Sequence, residues 1–297
     1  MYDSVRALLE GAVDYAGLFP PAGLPMARAV ANFADYHAGA DRWALGRFVV
    51  PAARLDEFHA AAAPLLAGAP SAHWRLSALA GDDLAGDAAR VERYNAARAA
   101  DGVPCVADAL EWRAADAAAV QALGASLPAG VTGYAEVALA AAVPCAEAAR
   151  VAGVRLKART GGVTADAFPT AHALAAFVTA CGTCGVPFKA TAGLHHPFRG
   201  RYALTYEPGS DDAEMFGYLN VFAAAAFAAR GVPAAALAEL LVERGSGALR
   251  FAEGGARWRD YRVTTADLRR SRATGAISFG SCSFTEPLTD PAALSLA

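Results

Sequence analysis

Arg155-Leu156-Lys157-Ala158-Arg159-Thr160-Gly161-Gly162 and Phe188-Lys189-Ala190-Thr191-Ala192-Gly193 are two short strand patterns, each running into a Thr/Gly turn. They hold the only lysines of the chain, 32 residues apart; of 26 basic residues the other 24 are arginine. Nearly every need for positive charge is met with arginine, and lysine is kept for two matched positions. The difference is chemical: a lysine amine can be made neutral and used as a nucleophile, whereas a guanidinium stays charged. Period-two alternation puts Arg155, Lys157 and Arg159 on one face of the first strand, with Leu156 and Ala158 on the other. Lys189 and Thr191 share a face of the second. Neighbouring parallel strands lie about 4.8 Å apart, so the two amines would approach within several ångströms.

Outward from this pair, strand patterns at 13–19, 47–50, 74–79, 104–110 and 133–139 alternate with helical patterns at 1–12, 26–37, 54–67, 87–100, 114–123 and 144–152. A further helix is predicted over 170–181. Strands alternating with helices across short connections indicate a parallel α/β sheet. With the two lysine strands and a last one at 276–283 the total is eight, which predicts an α/β fold of the (β/α)8 TIM-barrel type, one domain over 1–297. Residues 194–275 break the rhythm and read as a mostly helical, lid-like insertion before the last strand. Its expected parts are helices over 215–230 and 232–244, an irregular Gly-rich piece over 245–258, and a helix capped by Thr265.

Composition narrows the partners. Charged residues are 19% and the net charge is −3. The arginines of 257–272 are interrupted by Asp260, Asp267 and aromatics, so neither nucleic acid nor an acidic membrane is expected as a partner. Asp3 and Glu10 stand where a leader would be basic and then apolar, and the apolar stretch 218–229 is too short to span a bilayer. The expectation is a cytoplasmic protein acting on a small-molecule substrate; homo-oligomerisation is compatible with the sequence. Five scattered cysteines do not make a disulfide framework, and Cys181-Gly-Thr-Cys184 lacks the second pair a zinc site needs.

In such a barrel, reacting groups project from the C-terminal ends of the strands. Two ammonium groups brought together and partly desolvated disfavour each other's charge, and Arg155 and Arg159 push the same way. One amine would then be neutral and able to form a Schiff base with a carbonyl. Glu136, one strand before Lys157, and Asp108, on the strand before that, are the candidate carboxylates; charge balance of buried cations is the plainer reading of both.

The order of motifs resembles the class I aldolases of the deoxyribose-phosphate aldolase type, over 13–193 and again over 276–284. In that family a Lys-Thr-Ser-Thr-Gly strand precedes a Lys-Pro-Ala-Gly-Gly strand, and a Phe-Gly-Ala-Ser-Ser turn ends the eighth. Lys157-Ala158-Arg159-Thr160-Gly161, Lys189-Ala190-Thr191-Ala192-Gly193 and Phe279-Gly280-Ser281-Cys282-Ser283 are similar to these in turn. The resemblance implies Lys157 as the Schiff-base lysine, Lys189 as the amine that lowers its pKa, and Asp108 as acid/base. It also implies a phosphate cradle at Gly280 and Ser281, substrate contacts from Asp14, Thr191, Gly161 and Gly193, and no metal or other cofactor; Arg155 and Arg159, on the Lys157 face, are further substrate-binding candidates. Arg159, Leu194 and His195-His196 depart from the family pattern.

Adjacent histidines on a strand end point opposite ways, so one of His195 and His196 would face the site. That residue serves as an acid/base, as a metal ligand with Glu136, Glu207 or Asp211, or only as loop structure. Three functions follow: a Schiff-base carbon–carbon lyase with Lys157, Lys189, Asp108, Glu136 and His195 as its catalytic set, a metal-dependent isomerase or lyase, and a barrel that binds a metabolite without catalysis.

Overall fold

The computed structural model describes residues 1–68 and 73–290; the end of the predicted domain, 291–297, lies outside the described residues. The barrel strands are β1 (Val13–Tyr15), β2 (Leu45–Pro51), β3 (Trp74–Leu79), β4 (Cys105–Arg113), β5 (Thr132–Val137), β6 (Arg155–Arg159) and β7 (Phe188–Thr191). Two excursions follow. The first is a hairpin, β8 (Gly200–Ala203) and β9 (Asp212–Met215). The second is an antiparallel sheet of β10 (Leu249–Ala252), β11 (Gly255–Trp258) and β12 (Tyr261–Thr264). The last barrel strand is β13 (Ala276–Ser281). Strands β1 to β7 pair in sequence order and β13 closes the ring between β7 and β1, every pair parallel. This is the predicted (β/α)8 barrel.

Local sequence explains the outer helices. Asp83, Asp116 and Thr170 accept backbone N–H groups at the starts of α4 (Leu84–Ala100), α5 (Ala117–Ser126) and α7 (Ala171–Cys184), satisfying donors the first turn leaves free. Gly153 ends α6 (Ala142–Ala152), and Gly185 ends α7, both in the left-handed conformation. One helical segment, Ala165–Cys184, is long and apolar enough by composition to cross a membrane. Its α7 part buries Leu174, Phe177 and Val178 and packs on β6 and the neighbouring helices as barrel cladding.

The insertion differs from its prediction. Helix α8 (Tyr218–Ala228), buried on nearly every face, packs against α7, α9 (Ala234–Leu240) and α10 (Thr265–Thr274). The stretch expected to be irregular contains β10 and β11. Leu249, Phe251, Ala256 and Trp258 alternate with solvent-facing residues, a period-two pattern that the surrounding glycines obscure in the sequence. The cap of α10 is Thr264, in a reciprocal capping box with Asp267, rather than Thr265. The hairpin has its own small apolar cluster of Leu204, Ala213 and Met215 with Phe168 and Tyr202.

Candidate active site

The strand register does what the alternation predicted. Lys157 lies opposite Glu136 on one side and Lys189 on the other, and Arg159 lies opposite Thr191. Both amines face the barrel axis and border one cavity of about 350 Å³ at the C-terminal ends of the strands. Phe19, Val49, Leu79, Leu204 and Met215 form much of its apolar wall, and the hairpin contributes residues 203–206 as a roof.

The amines do not face each other bare. Glu111, on β4, spans them: Oε1 accepts from Lys189 Nζ at 2.6 Å and Oε2 from Lys157 Nζ at 2.7 Å. Lys157 also reaches Glu136 Oε2 at 2.7 Å, and Lys189 reaches Asp14 Oδ2 at 2.6 Å. Ser77 Oγ donates to Glu111 and Ser278 Oγ donates to Asp14 at 2.8 Å. The Tyr134 ring lies 5.3 Å from Lys189 Nζ, a cation–π contact. Gly46 makes room for Asp14, since a Cβ there would stand 2.4 Å from Oδ1.

This arrangement corrects the expected electrostatics of Lys189. Burial alone would push its amine down, but Asp14 and Glu111 outweigh burial and hold it above the ordinary lysine value. The same contacts act in reverse on the acids. Burial raises each, yet Lys189 and Arg47 lower Asp14, the two lysines lower Glu111, and Lys157 and Arg159 lower Glu136. Lys189 therefore keeps its proton, which leaves Lys157 as the amine to consider for attack.

Other predicted site residues lie elsewhere. Asp108 is not at the mouth: β4 bulges there, since Leu76 pairs with Ala107 and Ser77 with Ala109. Near the strand starts its carboxylate is held by Arg47 (2.6 Å) and Arg75 (2.6 Å). The extra residue also changes the phase of the strand and sets Glu111 on the inward face. Arg155, the first residue of β6, hydrogen-bonds Tyr134 Oη at 2.8 Å and does not border the cavity. Asp14 is fully buried beneath the lysines, a positioning group rather than a contact surface. Arg159, with a half-exposed side chain, borders the mouth and donates to Glu136 Oε1 at 3.1 Å.

Gly161 and Gly193 both pack against Phe168, and Gly193 also borders the cavity. A Cβ on either would run into the Phe168 ring, at 2.4 and 2.7 Å. Gly193 has φ +71°, and Ala192 before it is also left-handed, so the chain leaves strand geometry at the end of β7. For that reason His195 and His196 both border the cavity, contrary to the alternation argument. His195 Nδ1 lies 3.1 Å from Glu286 and 3.3 Å from Ser281 Oγ; His196 Nδ1 lies 2.7 Å from Asp290 and its ring stacks on Tyr202. Tyr206 Oη donates to Glu286 at 2.9 Å. Burial raises Glu286, but the bonds from His195 and Tyr206 outweigh it and hold the carboxyl below the usual range.

Glu207 and Asp211, weighed as metal ligands, are exposed in the hairpin loop. Among the described residues no three His, Cys, Asp or Glu side chains are grouped to hold a metal ion.

Glu111, Glu286 and Tyr206 were missed. The one signal for Glu111 is a lone acid inside the apolar run Ala109-Leu110-Glu111-Trp112, one residue past the predicted strand end. Glu286 and Tyr206 carry no local signal. No protein-family model and no curated protein matches the chain.

Proposed function

We propose that the protein is a carbon–carbon lyase of the class I aldolase type, in which Lys157 forms a Schiff base with a small carbonyl compound. One observation carries the reading. Lys157 Nζ borders a cavity at the C-terminal face with carboxylates on both sides of it, at 2.7 Å each, while a second amine neutralises one of them. Such a carboxylate can take the ammonium proton at the moment of attack.

The chemistry follows from that placement. Lys157 gives a proton to Glu136, and the freed nitrogen pair attacks the carbonyl carbon. A second proton passes from the nitrogen to the former carbonyl oxygen, and with the Glu136 proton returned to it that oxygen leaves as water, giving an iminium. Its positive nitrogen accepts the electron pair of the adjacent carbon–carbon bond as a base takes the proton from the β-hydroxyl. His195, on the wall formed by the chain after β7, is the candidate for that base. Protonation of the resulting enamine carbon and attack by water on the renewed iminium release the second fragment and restore the amine.

Lys189 acts from below. Its fixed charge shares the Glu111 carboxylate with Lys157, and the tuning role that the resemblance implies for Lys189 would run through that carboxylate.

The test is borohydride reduction in the presence of a panel of small aldehydes and ketones, followed by peptide mapping. An added mass on Lys157 is expected in the wild type and none in Lys157→Met. A panel that leaves Lys157 unmodified throughout would overturn the proposal.

A further inference from the structure

We propose that the cavity takes an uncharged carbonyl compound with an apolar tail and discriminates against phosphorylated and carboxylated ones. The inference rests on the Schiff-base reading for the carbonyl and on the cavity alone for charge and tail.

Both amines on the cavity wall are already engaged, and Arg159 gives its Nε to Glu136 at the mouth. Lys157 is held by Glu111 and Glu136, and Lys189 by Asp14 and Glu111. The two histidines each face a carboxylate, Glu286 or Asp290. An anion that reached either amine would have to displace one of these carboxylates from its cation. Arg113 belongs to the adjoining groove, which also contains Asp82, and not to this cavity.

The turn after β13, where the resemblance implies a phosphate cradle, is spent on the protein itself. Ser281 is buried and lies against His195, and its hydroxyl accepts the Ser283 N–H. Ser283 Oγ accepts the Glu286 N–H at 3.1 Å. Gly280 and Cys282 of this turn border the cavity, and the charged group beside them is the Glu286 carboxylate, which is ionised and repels an anion. Phe19, Val49, Leu79, Leu204 and Met215 supply the apolar part of the wall, alongside Thr191, Thr205 and Tyr206. A volume of about 350 Å³ is at the small end for ligand sites.

Two paired measurements separate this inference from the Schiff-base reading. The first compares borohydride-trapped adduct at Lys157 for hexanal with that for glyceraldehyde 3-phosphate and pyruvate. The second compares binding of unreactive 1-hexanol with hexyl phosphate, which share a tail, by ligand-observed NMR. We expect a preference of at least about tenfold for the neutral member in both, equal to about 1.4 kcal/mol. Glu286→Gln should narrow the hexanol-to-phosphate ratio several-fold, which a purely structural Glu286 would not do. Neutral preference in binding with no adduct from any carbonyl would overturn the Schiff-base reading and leave the charge and tail preference standing. Hexyl phosphate binding as tightly as hexanol, stronger trapping of the anions, or no hexanol binding at millimolar concentration would overturn this inference.

Discussion

A lysine with no water around it keeps its charge only if carboxylates replace the water, and Lys189 has two within 2.6 Å. Its raised value means that its contribution to stability is complete below the unfolded lysine value, about 10.4, and lost as pH climbs through the folded one. Asp14, Glu111 and Glu136 are shifted down, so theirs is complete above about pH 5 and lost as pH falls through the folded values. The cluster's contribution is therefore level between about pH 5 and 9 and declines in acid. Urea midpoints at pH 3.5, 5, 7 and 9 should show this profile. Lys189→Met should cost roughly 3–5 kcal/mol at pH 7, because it strands buried carboxylates. It should also flatten the acid limb, since those acids are no longer held down. Lys189→Arg should not restore the wild-type value, because a planar fork cannot occupy the place of a compact ammonium.

At the scale of elements, the turns after β6 and β7 meet beneath Phe168, whose ring also packs into the hairpin's apolar cluster. Gly161→Ala would place a methyl 2.4 Å from that ring. The expected result is a loss of about 1–3 kcal/mol and faster amide exchange across 200–215, measured by mass spectrometry. Unchanged exchange there would show that the hairpin does not depend on Phe168. Strand order, the helix layer and the facing of Lys157 and Lys189 were legible because they follow from periodicity, short connections and the scarcity of one residue type. Glu111 was not legible, because a bulge leaves no mark in a single sequence and changes the face of every residue after it. Asp108 was misplaced because β4 runs on to Arg113 and leaves it near the strand start. The hairpin and the β10–β12 sheet went unread because their alternation is only four residues long and lies among glycines. Glu286 is 91 residues from His195, and only the closed barrel brings them together.

The whole molecule is a barrel whose upper interior is ionic rather than aliphatic. Three acids and two amines interlock there, and Glu111 belongs to both halves. Asp14→Asn and Lys189→Met should each be costly, while the double variant should lose less than their sum by about 1–3 kcal/mol. Additive losses would mean that the pair is held independently of its charge. Sharing one carboxylate between two amines also restricts how this barrel can change over generations. A neutralising change at either lysine takes a partner from two acids, and one at Glu111 takes a partner from two amines, so no single substitution here is silent. Descendants that abandoned the chemistry would have to lose oppositely charged partners in successive, compensating steps. In such a lineage a surviving lysine without its acid would mark an intermediate and not an end state.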